Sequence, residues 1–162
     1  MKKMNNKGFS LVELIIVIAI MAILIVVLAP QYLKYVEKSR NSTDLQSVTE
    51  FKDACEIWAA DPDADDSDTD HTSFKSGNNF TITVTPSGIT SSVPPAVDAA
   101  LKNAGVSTSK FKCMSKTKWA SFSLGLKVND NGSITWTYTG YSDAAASTPD
   151  GGNFANAMSA GN

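Results

Sequence analysis

Glu13 is the only charged side chain in the stretch from Phe9 to Ala29, which reads FSLVELIIVIAIMAILIVVLA. A carboxylate inside so apolar a run is costly, and acids in such places are usually kept for a function. Glu13 lies four residues after Phe9, on the same face of a helix. Before Phe9 stands Gly8, which has no Cβ. In a low-dielectric setting an unpaired charge is very costly, so a group that neutralises Glu13 would give docking both drive and register.

The other candidates for chemistry are weaker. Asp61 to Asp70 reads DPDADDSDTD, six carboxylates in ten residues. Asp61, Asp63 and Asp65 have the alternate spacing of a Ca²⁺ loop. The sixth position is Asp66 where such a loop needs Gly, and the twelfth is Thr72 where it needs a bidentate Glu. The run therefore reads as an acidic solvated loop, with Asp61, Asp63 and Asp65 a weak Ca²⁺ candidate. His71, the single histidine, reads as an exposed polar residue. Two cysteines are too few for a disulfide scaffold or a four-cysteine zinc site. Cys55 and Cys113 leave two readings open: a bridge in an oxidising compartment, or two buried thiols acting as small hydrophobes. No nucleophile–His–carboxylate set and no phosphate-cradling Gly loop occurs, so neither an enzyme nor a cofactor is expected.

The elements that hold these residues follow from pattern and composition. The chain has 162 residues and a formal net charge of -2, a balance that does not point to nucleic acid as a partner. Its 19% charged and 43% hydrophobic residues exclude wholesale disorder. As a helix, the 21 residues from Phe9 to Ala29 span the ~30 Å hydrocarbon core of a bilayer. Lys2, Lys3 and Lys7 precede the run, which predicts a cytoplasmic N-terminus and an external remainder. The run is too long for the apolar core of a secretory signal peptide, and Ala29-Pro30-Gln31 is a poor cleavage site. Helix resumes from Gln31 to Ala60, with Leu45, Val48, Phe51, Cys55 and Trp58 as an apolar stripe. Asp44, Lys52, Asp53 and Glu56 are assigned to the opposite, wet face. Pro30 removes an N–H and crowds the preceding turn, so a bend or local loosening is expected there.

Lys7-Gly8-Phe9-Ser10-Leu11-Val12-Glu13-Leu14, followed by the apolar run, resembles the processing motif of type IV prepilins. Pro30 resembles a proline the family often carries at this distance. The close resemblance covers residues 1–56. It implies that Gly8–Phe9 is the cleavage site and that Phe9 becomes N-methylated. It implies that Phe9, Glu13 and Pro30 act in filament assembly, with Glu13 answering the amine of a neighbour. The implied partners are further copies in a helical filament, membrane lipid before assembly, a prepilin peptidase, an assembly ATPase and a membrane platform protein. The implied location is the cytoplasmic membrane first and the extracellular pilus afterwards.

The remainder suggests a globular head over residues 61–162, after a leader over 1–8 and a long helix over 9–60. Phe80, Ile82 and Val84 alternate with Thr, and Pro86-Ser87-Gly88 makes a turn. Val93 to Ala104 holds a short helix with Val97, Ala100 and Leu101 inward and Gly105 as its stop. Phe122 to Val128 and Ile134 to Tyr138 form a hairpin across Asn129–Gly132. A third strand is expected through Phe111 and Cys113, towards Trp119. Gly140 to Asn162 reads as a loop or loosely tied tail. The expected fold class is α+β, the long helix packed on an antiparallel sheet, and the family's layout agrees. The function implied is a structural subunit of a type IV pilus serving adhesion, surface motility or aggregation. The alternatives are a pseudopilin of a type II secretion or DNA-uptake system, and a singly anchored surface binding domain.

Overall fold

The computed structural model describes residues 8–61, 74, 77–90, 93–131 and 133–160. The chain divides into two compact units, Met1–Lys38 and Ser39–Asn162. One helix, α1 (Leu11–Ala59), contributes to both and carries Pro30 inside it. The helix neither ends nor breaks at Pro30. The ring still deprives the Val26 carbonyl of its helical donor, because proline has no N–H.

In the first unit the apolar side chains from Phe9 to Tyr35 are bare. Leu11 is 73% exposed, Ile18 56% and Val26 74%. A helix apolar all round and covered by nothing is built for a non-aqueous or protein environment. By length and composition α1 is able to cross a membrane.

The second unit has a conventional core. Val48, Phe51, Ala54 and Cys55 of α1 are buried, with Leu45 and Trp58 packed at the margin. They face an antiparallel sheet built from β1 (Asn79–Thr85), β2 (Gly88–Ile89), β3 (Ser121–Val128) and β4 (Ile134–Tyr141), in the order β2-β1-β3-β4. Register aligns Ile82 with Leu124 and Leu124 with Tyr138, so one face is apolar across three strands. Thr83 and Ser123 pair on the other face, their hydroxyls 2.9 Å apart. Phe51 meets Phe111 edge-on at 5.4 Å and Trp136 at 6.2 Å, and Trp136 Nε1 donates to Glu56 at 2.8 Å. A second helix, α2 (Pro95–Asn103), begins on a proline and buries Val97, Ala100 and Leu101 as expected. Gly105 follows it at φ +70, a left-handed conformation that glycine adopts without a steric penalty.

Two expectations for this unit are corrected. The residues from Phe111 to Trp119 form no strand; a short 3₁₀ turn, Thr108–Lys110, leads into irregular chain. Its backbone N–H groups find other acceptors: Cys113 donates to the Thr85 carbonyl at 3.1 Å, and Met114 and Ser115 donate to Asp44. The third strand is β1, from the Phe80–Val84 alternation.

The C-terminal stretch is not a loose tail. It forms helix α3 (Asn153–Ala160), with Phe154 and Met158 buried. Gly140 lies opposite Phe122 on the apolar face of β4 and leaves a gap there. Phe154 fills it, stacked on Phe122 at 4.5 Å and edge-on to Trp119 at 5.2 Å. A Cβ at Gly140 would come within 2.5 Å of Phe154 Cβ and closer still to the Asp150 carboxylate. Asp150 caps α3 by accepting from Gly152 N at 2.8 Å and Phe154 N at 2.9 Å. In the preceding turn Asp143 accepts from the backbone of Ala145, Ser147 and Thr148. Hydrogen bonds from Ser147 and Thr148, led by the Ser147 backbone, bring its carboxyl down to about 2.

Candidate functional site

Gly8, Phe9, Ser10 and Glu13 form the start of α1. A Cβ placed on Gly8 would meet no atom within 4 Å, and Phe9 is 92% exposed. Ser10 is the last residue before the helix, and its hydroxyl accepts from Val12 N at 3.4 Å. The Glu13 carboxylate reaches back to the Ser10 N–H at 2.9 Å. Ser-x-x-Glu in this arrangement is a capping box, which satisfies N–H groups that a helix start otherwise leaves unpaired. The Ser10 contribution was missed in the sequence, although the three-residue spacing is its usual signal. The cap leaves Glu13 Oε1 without a hydrogen bond from the described residues, on a carboxylate close to the Gly8–Phe9 bond.

A second carboxylate matters for the head. The sequence pattern puts Asp44 on the wet face of the helix, yet it is fully buried. It lies four residues before Val48 and seven before Phe51, on the apolar stripe itself. Its Oδ1 accepts from Met114 N at 2.7 Å; its Oδ2 accepts from Ser115 N at 3.0 Å and Trp119 Nε1 at 2.9 Å. Cys113 Sγ lies 3.6 Å from the same Oδ2. A buried charge persists only with such a set of donors. Asp44 therefore ties the Phe111–Trp119 segment to α1.

The same contact bears on the two cysteines. No disulfide joins Cys55 and Cys113, and both are buried. Cys113 is held beside Asp44, and eleven residues of helix at 1.5 Å each separate Asp44 from Cys55 by about 16 Å. A bridge needs Cα atoms within about 7 Å, so the fold keeps two thiols instead. Burial, with a smaller contribution from Glu56, pushes the Cys55 thiol up to about 12. Alkylation at pH 8 is expected to leave Cys55 unmodified in the folded protein and to modify two thiols in urea. Rapid labelling of Cys55 in the folded state would contradict this packing.

Among the described residues no group of His, Cys, Asp and Glu could hold a metal ion. Of the Ca²⁺ candidates, only Asp61 is described; Asp63 and Asp65 lie outside the described residues, as does His71.

The chain thus joins an apolar N-terminal helix with a capped start to an α+β head. Residues 3–29 match the sequence model of the prokaryotic N-terminal methylation motif, the type IV pilin and prepilin signature. This motif marks a structural protein of the pilin or pseudopilin kind, with a helix suited to anchoring in a membrane. No solved structure matches the chain.

Proposed function

We propose that this chain is the subunit of a type IV pilus. It would be made with an eight-residue leader and held in the cytoplasmic membrane with its N-terminus inside. A prepilin peptidase would cut after Gly8 and the Phe9 amine would be methylated. An assembly ATPase and a platform protein would then move the subunit into an extracellular filament. The observation that carries this reading is the bare apolar surface of α1 beneath a matched methylation motif.

The physics of assembly follows from that surface. Lipid already solvates the apolar side chains, so their transfer into a filament core gains little by itself. Close packing and one well-placed charge pair must supply the rest. The Glu13 carboxylate is that charge. In the isolated chain it accepts a single backbone N–H. In the filament it would meet the Phe9 amine of an adjacent subunit, which sets the axial step between copies. Pro30 frees a carbonyl within the apolar run and so gives the rod a place to flex as it packs. The head, residues 61–162 with the covering part of α1, would form the outer surface, where adhesion, motility or aggregation would be served. Its substantial Ser- and Thr-rich sheet face favours a pilin over a pseudopilin.

Mass spectrometry of the mature protein tests the reading most directly. The expected mass lacks Met1–Gly8 and carries one additional methyl group on Phe9. A mature chain that retains Met1 would refute it.

A further inference from the structure

Gly125 stands near the middle of the central strand β3, between Thr81 on β1 and Thr137 on β4. Glycine weakens a strand there, because it has no side chain to pack. It usually marks a bulge, a sharp bend or the close approach of a ligand or another backbone. The first two do not apply. Pairing runs without a break along both sides of β3, and the Gly125 φ is not positive. What the glycine leaves is a trough of about 370 Å³ in the wet face of the sheet, within the size range of small-ligand sites.

The walls of this trough carry hydroxyl groups. Thr81 and Thr137 flank the floor, and Ser123 and Thr139 form the next row. That end is held in a fixed arrangement. Tyr141 pairs with Ser121, yet its phenol oxygen accepts from Ser123 Oγ, two residues along β3, at 3.4 Å. Thr83 Oγ1 lies 2.9 Å from the same Ser123 Oγ. The Tyr141 side chain therefore leans along the sheet and closes one end of the trough. Lys127 stands at the other end, four residues or about 13 Å from Ser123 along the strand. It is exposed, is the one charged residue of the lining and makes no ion pair among the described residues.

We propose that this trough binds an acidic sugar, with the sugar carboxylate on Lys127 and its hydroxyls on Thr81, Thr137 and Thr139. A threonine hydroxyl both donates and accepts, as each sugar hydroxyl does, so the two sets can satisfy one another. One lysine matches one carboxylate, and the hydrogen bond between them is charge-assisted. Apolar peptide side chains find no dry pocket on this face, because the apolar face of the sheet is the one packed on α1. The site goes beyond the pilus reading and holds whether or not the chain polymerises.

Calorimetry on the full chain in detergent micelles tests this, with digalacturonate as the probe and galactobiose as its neutral counterpart. Digalacturonate is expected to bind about tenfold more tightly than galactobiose, and Lys127→Gln is expected to erase that preference. Gly125→Val fills the floor without altering charge and is expected to lower digalacturonate affinity by at least about tenfold. The strand should accept valine, since the nearest atom to a Cβ at Gly125 is Thr137 Cβ at 3.4 Å and β-branched residues suit strands. Should circular dichroism show Gly125→Val unfolded, Thr137→Val takes its place, with about a threefold loss expected and unchanged affinity overturning the proposal. No heat above dilution from either sugar would overturn it. So would unchanged affinity in a folded Gly125→Val, or acetate binding as tightly as digalacturonate, which would reduce the site to a bare ion pair. Loss of sheared filaments in Gly125→Val, with no sugar bound by the parent, would overturn it in favour of a second copy seated on this face.

Discussion

Changing Glu13 to Gln is expected to leave the start of α1 intact and to remove filaments from the cell surface. The two roles of this residue separate at that substitution. The amide oxygen of Gln can still accept the Ser10 N–H that the carboxylate now accepts at 2.9 Å. The capping box, worth about 1 kcal/mol, is thus kept. What Gln lacks is the charge that would answer a neighbouring amine. Breaking a desolvated ion pair costs about 3–5 kcal/mol, because the partner charge is left alone. At 1.4 kcal/mol per factor of ten, subunit addition weakens by more than about a hundredfold. Glu13→Ala loses both cap and charge and should look the same on the surface. Immunoblots of sheared filaments against membrane-held subunit give the readout. Normal filaments from Glu13→Gln beside absent filaments from Glu13→Ala would mean that the cap, and not the charge, is what assembly requires.

The second large effect concerns the head. Asp44→Ala should destabilise the Ser39–Asn162 unit by about 3–5 kcal/mol, a large part of the ~5–15 kcal/mol that holds an ordinary domain together. The loss has a definite origin. Met114 N, Ser115 N and Trp119 Nε1 would keep their hydrogens in a dry site with no acceptor, each at a cost of about 1–3 kcal/mol before relaxation. Asp44→Asn keeps one acceptor and adds two donors where donors already converge, so it should fall between Ala and the parent. Asp53, exposed on the same helix, is the control, and its replacement by Ala should stay within about 0.5 kcal/mol. Urea denaturation of the Ser39–Asn162 fragment, which contains every buried core residue, measures all three. A change below about 1 kcal/mol for Asp44→Ala would mean that the Phe111–Trp119 segment is held chiefly by its apolar side chains.

Local chemistry was the readable part of the sequence. The methylation motif, the β3–β4 hairpin with its Asn-Asp-Asn-Gly turn and the short α2 helix each depend on neighbours within a few residues. Alternation and turn residues therefore suffice to place them. Asp44 was legible in position but not in consequence. Its spacing to Val48 and Phe51 puts it on the buried stripe, yet a carboxylate there makes sense only once the donors about 70 residues onward are known. The same dependence explains the misplaced strand. Phe111 and Cys113 alternate as strand residues do, but a fixed acceptor on α1 captured the N–H groups that a ladder would have used. Helix α3 was hidden by composition, since Ala, Ser, Gly and Asn suggest loose chain. Phe154 and Met158, four apart after Asp150, were the available signal, and the gap left by Gly140 gave them something to fill.

That gap also governs the order of folding. Phe154 closes the aromatic cluster of Trp119, Phe122 and Tyr138, and of these four it is made last. The sheet can pair its strands before Phe154 exists, but the cluster stays open until the chain beyond β4 folds back over Gly140.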